Sequence, residues 1–298
     1  MIVNALSCDV EDYYMVSAFE RTVSRSDWTR HESRAAANTE RVLRILSDCG
    51  VRATFFVLGW LAEREPSIVR GIAAEGHEVA AHGWDHRLVY EMTPGEFRED
   101  VRRARLELQA ASGQPVLGYR APSFSVTERS LWALDILAEE GYAYDASIFP
   151  IRHDRYGIPS APRHAFKVDG WEPARRAAAG GAGEGSHRGL LEIPASTARM
   201  WGVNMPISGG GYFRLLPYWW TRAGIQRLND TEGKPAVFYF HPWEIDPEQP
   251  RLPASGLSRF RHYRNLEKTA SRLARLLADF RFGTLSQTFL VQAPAGGA

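Results

Sequence analysis

Ile2-Val3-Asn4-Ala5-Leu6-Ser7-Cys8 runs directly into Asp9-Val10-Glu11-Asp12. The fold turns on this pattern, a short apolar strand ending in a polar cluster, because it recurs down the chain. Apolar residues at helical spacing follow (Val42, Leu43, Ile45 and Leu46, closed by Gly50), then the β-branched and aromatic run 52–58. Pro66 opens a second helical pattern that ends at Gly76, after which 78–81 is a compact strand leading into His82-Gly83-Trp84-Asp85-His86. Thr93-Pro94-Gly95-Glu96 has the form of a capping box for a helix reaching Ser112, and the strand 116–119 then ends at Arg120-Ala121-Pro122. Thr127 caps a helix to Glu140, and 142–144 is a brief strand before Asp145. Residues 190–193 and 236–240 add strands, the second ending at His241-Pro242-Trp243-Glu244, and 263–280 reads as an amphipathic helix. Helices of about 10 to 18 residues between short strands imply parallel pairing, with polar residues gathered at the strands' C-terminal ends. The expectation is a barrel-like α/β domain carrying an active site at one end.

At 298 residues and 44% hydrophobic content, the chain can form one sizeable α/β domain or two smaller ones. Lys+Arg 36 against Asp+Glu 35 leaves +1, which gives no electrostatic reason to expect nucleic acid or an anionic membrane as partner. Cys8 and Cys49 support neither a disulfide framework nor a thiolate metal site. The N-terminal stretch lacks the basic and long apolar segments of a secretory signal, and no apolar run is long enough to span a bilayer, so a cytoplasmic location is expected. The Gly/Ala-rich residues 172–188 read as a mobile surface loop, and 201–212, with Ser208-Gly209-Gly210-Gly211, as a flexible segment shaping a cleft.

Two histidines four apart, His82 and His86, share one side of a helical turn and can reach one ion, although such a pair alone is more often structural. Asp9 and Glu11 alternate along an extended segment and point to one side, while Asp12 comes as the chain turns. One carboxylate can complete a His, His, carboxylate set, and a second, free one can take a proton from water. An acidic run at a strand end is as often plain solvated surface. Arg120, fixed by the following Ala121-Pro122, can hold a carboxylate ionised, and His241 can act as a general acid near neutral pH. Asp145 is a candidate acceptor that would raise the pKa of His241. Tyr13, Tyr14, Trp84, Phe124, Trp243, Trp201 and Tyr212 lie near these motifs and can stack on sugar rings, with core packing expected for about half of them.

Together these residues resemble the polysaccharide deacetylases of carbohydrate esterase family 4, the group with the NodB-homology domain. Asp9-Val10-Glu11-Asp12 stands where the family has an Asp-Asp pair, His82-Gly83-Trp84-Asp85-His86 matches His-Ser/Thr-x-x-His, and Arg120-Ala121-Pro122 matches Arg-x-Pro. Asp145-Ala146-Ser147 and Tyr239-Phe240-His241 resemble the fourth and fifth motifs, and the wording around them is close to the deacetylases of exosortase/PEP-CTERM exopolysaccharide loci. The resemblance implies a distorted (β/α)7 barrel as a single domain over 1–298, with a subfamily extension from about 242 to 298. It further implies a divalent ion, Zn2+ in the first place, held by His82, His86 and Glu11. The implied roles are base for Asp9, positioning for Arg120, oxyanion donation from the backbone N–H of Ser123, and general acid for His241 with Asp145 behind it. The expected substrate is an N-acetylated polysaccharide or oligosaccharide.

The family's acid doublet is split here by Val10, so Glu11 and Asp12 both remain candidate ligands, with strand alternation favouring Glu11. Gly83 replaces the hydroxyl residue of the histidine motif. Two other readings fit the same residues less well: a metal-free amidohydrolase of this fold acting on a ureide or cyclic amide, and an inactive glycan-binding protein.

Overall fold

The computed structural model describes residues 2–179 and 189–290. Strand β1 (Val3–Val10) is the second strand from one end of its sheet and is buried along almost its whole length. After it come α1 (Ala35–Asp48), β2 (Thr54–Val57), α2 (Gly59–Arg64), α3 (Pro66–Ala74), β3 (Glu78–Ala81), α4 (Pro94–Ser112) and β4 (Gly118–Tyr119). The chain continues through α5 (Trp132–Glu139), β5 (Tyr144–Asp145), β6 (Phe166–Lys167), α6 (Glu172–Ala179), β7 (Leu191–Glu192) and the hairpin of β8 (Thr197–Met200) and β9 (Val203–Pro206). It ends with α7 (Gly210–Leu215), α8 (Tyr218–Asp230), β10 (Val237–Phe240), α9 (Gly256–Tyr263), α10 (Leu266–Asp279) and β11 (Arg281–Gly283).

The main sheet runs β10-β1-β2-β3-β4-β5-β7-β6, with β11 pairing the start of β1. Its pairs are parallel except β6 with β7, as expected for strands joined by helical crossovers. The sheet curls into an incomplete barrel. It closes between β10 and the segment that follows β7, where the backbone N–H of Val237 donates to the Ser196 hydroxyl at 2.7 Å, a side-chain bond in place of a ladder. One domain of distorted (β/α)7 type results.

Alternation decides what faces inward. Ala5, Phe56, Ala80, Tyr144, Ile193 and Val237 fill the barrel floor. Their neighbours Leu6, Cys8, Phe55, Val57, Val79 and Phe238 pack against the helices on the outside. The same period on β1 aims Ser7, Asp9 and Glu11 inward above that floor. Gly118 faces the Tyr144 ring, where an added Cβ would come within 2.0 Å of it, so only glycine lets β4 pass.

Three expectations change. The helix expected over 263–280 is α10 and starts only at Leu266, because Asn265 takes a left-handed backbone (φ 57°) that asparagine tolerates and that separates it from α9. Residues 172–179 are helical (α6), since alanine and arginine are strong helix formers and Glu172 pairs with Arg176 at 3.0 Å; 180–188 lie outside the described residues. Residues 201–212 contain the β8–β9 turn at Trp201-Gly202, both at positive φ, and the start of α7, so they are regular structure. No helix among the described residues is long and apolar enough to cross a membrane.

His77 is buried against Phe55, and its Nδ1 accepts from the N–H of Ala53 at 3.1 Å. Burial lowers its pKa from 6.5 to about 4. As pH falls through that window the unfolded chain takes up a proton that the native imidazole refuses, so stability falls by up to about 1.4 kcal/mol per pH unit. His77→Gln flattens this slope. Melting temperatures of both proteins from pH 6.5 to 4 check it, and parallel slopes would remove His77 as the cause.

Candidate active site

Glu11, His82 and His86 offer ligand atoms that all lie within 4.8 Å of one another, and all three residues are buried. The two histidines do not share a helical turn. They sit on a loop leaving β3, with Gly83 at φ 75° and His86 at φ 60° turning the second imidazole back beside the first. This loop is pinned from several sides. Gly59 and Trp60 donate to the carbonyls of Gly83 and Trp84 at 2.9 Å each, the Asp100 carboxyl accepts from Trp84 N–H at 3.0 Å, and Arg25 donates to the carbonyls of Asp85 and His86. The hydroxyl residue of the family motif is missing for a local reason: a Cβ at Gly83 would lie 3.0 Å from the Asp100 carboxylate on a left-handed backbone.

Nδ1 of His82 lies 2.8 Å from the carbonyl of Arg120, and as donor there it leaves Nε2 with a free lone pair. Burial pushes this imidazole down to about 4. Burial works against the Glu11 carboxylate, but His86 and His241 outweigh it and hold Glu11 down to about 2. His86 Nε2 is 2.8 Å from Glu11 Oε2, and the Trp243 indole donates to Oε1 at 3.2 Å. An ionised carboxylate and a neutral imidazole are the forms that bind metals, and two histidines with one acid are a catalytic zinc donor set, so the residues fit a divalent ion.

Asp12 does something else. Its Oδ2 accepts from the N–H groups of Arg34 and Ala35 at 2.8 and 3.1 Å, capping the start of α1, while Oδ1 accepts from Tyr13 N–H at 2.9 Å. Asp12→Ala therefore costs about 1–2 kcal/mol of stability while metal content stays unchanged. Denaturant unfolding and metal analysis of that variant check both halves, and loss of the metal would return Asp12 to the ligand set.

Asp9 is 2% exposed and stands outside the metal trio. Nη1 of Arg120 donates to its Oδ1 at 2.6 Å and to the Ser7 hydroxyl at 2.8 Å, while Nε donates to the Ala146 carbonyl at 3.2 Å. His241 closes the site from the end of β10, its Nε2 3.5 Å from Glu11 and 4.0 Å from Asp9. Asp145 is not its partner. The Ser147 hydroxyl donates to Asp145, which also pairs with Glu192, and burial raises both acids so that they share a proton. Glu244 takes the place expected of Asp145: it lies 3.3 Å from His241 Nδ1 and is itself held by Arg214 at 2.7 Å. Burial alone would lower His241, but Glu11 and Glu244 raise it to about 9. Sequence reasoning named Glu244 in the His241 motif but gave it no role, although it stands three positions after His241, the spacing of an N-terminal cap.

These groups open into a cleft of about 610 Å3 whose far wall is aromatic, with Phe124, Tyr156, Tyr212 and Tyr239. Ser123 lies in it with φ 52°, its hydroxyl 2.6 Å from that of Ser17. Of the aromatic candidates, Phe124 and Tyr212 face the cleft. Trp243 also borders it but is sandwiched between His241 and His262 as an orienting group. Tyr13 and Tyr14 are core residues, the Arg103 guanidinium covers Trp84 at 3.4 Å, and Trp201 is 84% exposed at the hairpin turn.

Residues 28–144 match a sequence profile described as polysaccharide deacetylase. Over those residues the chain carries a polysaccharide deacetylase domain. A second profile, a domain of unknown function (DUF3473), matches 146–290, and the deacetylase sheet runs through both spans. The chitooligosaccharide deacetylase of Bradyrhizobium sp. (strain ANU 289) is 33% identical over 111 residues, 37% of this chain and 48% of that protein. The peptidoglycan-N-acetylglucosamine deacetylase of Bacillus cereus is 33% identical over 98 residues, 33% of this chain and 36% of that protein. The chain thus spans about half or less of the curated relatives it matches. A putative polysaccharide deacetylase from Mycobacterium smegmatis shares the fold at TM-score 0.60 and 21% identity, covering 95% of this chain and 87% of that one. Puue allantoinase shares it at TM-score 0.62 and 13% identity, covering 99% and 92%. At such identities these two likenesses concern the deacetylase fold alone.

Proposed function

We propose that the protein is a metal-dependent hydrolase that removes N-acetyl groups from amino sugars of a polysaccharide or its precursor. One observation carries this: a carboxylate, Asp9, held by Arg120 beside the Glu11, His82 and His86 trio yet free of it. When bound, a divalent ion such as Zn2+ polarises the amide carbonyl and acidifies water. Asp9 accepts the proton of the attacking water, and Arg120, fully buried, fixes its position by donating to Oδ1. The N–H of Ser123 donates to the developing oxyanion, which its position in the cleft supports. His241, held protonated and stacked on Trp243, gives a proton to the departing amine nitrogen. Acetate and a free amino sugar leave. Motif resemblance to exopolysaccharide-locus deacetylases supports a polymer of that class.

Acetate release from N-acetylglucosamine oligomers, assayed as purified, after chelation and after Zn2+ is restored, tests the proposal. Turnover that chelation abolishes and Zn2+ restores is expected. Acetate release indifferent to chelation, or hydrolysis of allantoin in its place, would transfer the protein to the metal-free amidohydrolases that share the fold.

A further inference from the structure

Beyond the reacting groups, the same cleft carries positive charge that no step above uses. Arg155 and Arg261 both line it, on the segment after β5 and on α9, with His153 between them stacked on Tyr156 at 3.8 Å. The two guanidinium groups lie near enough to His153 for both to disfavour its protonation. Elsewhere around the site arginines are committed: Arg120 to Asp9 and Arg214 to Glu244, at 2.6 and 2.7 Å in buried pairs. The rim arginines are not. Arg261 has no ion pair among the described residues, and Arg155 reaches only Glu20 at 3.7 Å, both side chains 40% or more exposed. One acid shares this rim, Asp154, turned 81% to solvent and 3.0 Å from His153.

We propose that Arg155 and Arg261 form an anion subsite, so that the preferred substrate bears a carboxylate or phosphate on or next to its N-acetylated sugar. The proposal rests on the deacetylase reading and narrows its substrate class to acidic glycans. A neutral N-acetylated chain would leave Arg261 without a counter-charge and Arg155 with only its long, exposed contact to Glu20, whereas an acidic one supplies charge-assisted acceptors to both. The aromatic wall of Tyr156 and Tyr212 carries the sugar ring, and the arginines fix its register by charge.

Three probes compared on the zinc-loaded protein test this: a neutral N-acetylglucosamine oligomer, an alternating N-acetylglucosamine–glucuronate oligomer of equal length, and UDP-N-acetylglucosamine. Acetate release gives kcat/KM, and calorimetry gives affinity without turnover. An acidic probe is expected to exceed the neutral oligomer about tenfold in kcat/KM, with the excess shrinking in high salt. The two acidic arms separate carboxylate from phosphate. In Arg155→Gln and Arg261→Gln, whose side chains are surface-exposed and whose melting temperature should hold, the acidic-to-neutral ratio falls about tenfold, through KM. An acidic-to-neutral ratio near one, or one that both variants leave intact, overturns the subsite while acetate release from the neutral oligomer upholds the deacetylase. Acetate from no probe, with arginine-dependent calorimetric binding of an acidic one, overturns the deacetylase and upholds the subsite.

Discussion

Asp9→Asn retains its metal and loses about 10³-fold in kcat. Asparagine keeps an oxygen to accept from Arg120, so the guanidinium stays satisfied, and Glu11, His82 and His86 are untouched. Only the proton acceptor is gone, a group worth about 10² to 10⁴ in rate. Metal analysis alongside acetate release separates this outcome from its rivals. A rate near wild type would mean that another group takes the proton, and lost metal would mean that Asp9 is itself a ligand.

His82→Ala gives the opposite signature. Removing this imidazole deletes one of three donors and the N–H that meets the Arg120 carbonyl, so metal affinity falls by more than about 100-fold, the upper cost of losing a mere outer-shell partner. Acetate release falls steeply in both variants, but only this one is metal-poor at equal Zn2+. Excess Zn2+ recovers some activity in His82→Ala and none in Asp9→Asn. Full metal content in His82→Ala would dismiss the trio as the binding site.

Much of this was legible in the sequence because strand ends advertise themselves. Asp9, His82, Arg120 and His241 each follow a buried apolar run, and a parallel sheet brings such ends to one edge. The choice of Glu11 over Asp12 also followed from the two-residue period of a strand, and the capping of α1 by Asp12 explains why the acids come so close together. Spacing misled at His82 and His86, since four residues suit a helical turn and equally a loop closed by two left-handed residues. The partner of His241 was misjudged for a related reason. Asp145 and Glu244 are equally acidic on paper, and only the fold shows Asp145 turned toward Glu192 and Glu244 clamped by Arg214. Strands of two to four residues, such as β6, β8 and β9, carry too little pattern to announce themselves.

The place of β1 constrains how such a protein can be inherited. It hydrogen-bonds to β2 from the first matched span and to β10 and β11 from the second, yet precedes both. Neither span by itself holds the strand that joins them or a complete set of reacting groups. Gene rearrangements that shuffle modules as beads on a string would break this barrel, so its two halves must travel through evolution together, with the opening acidic strand as their common keystone.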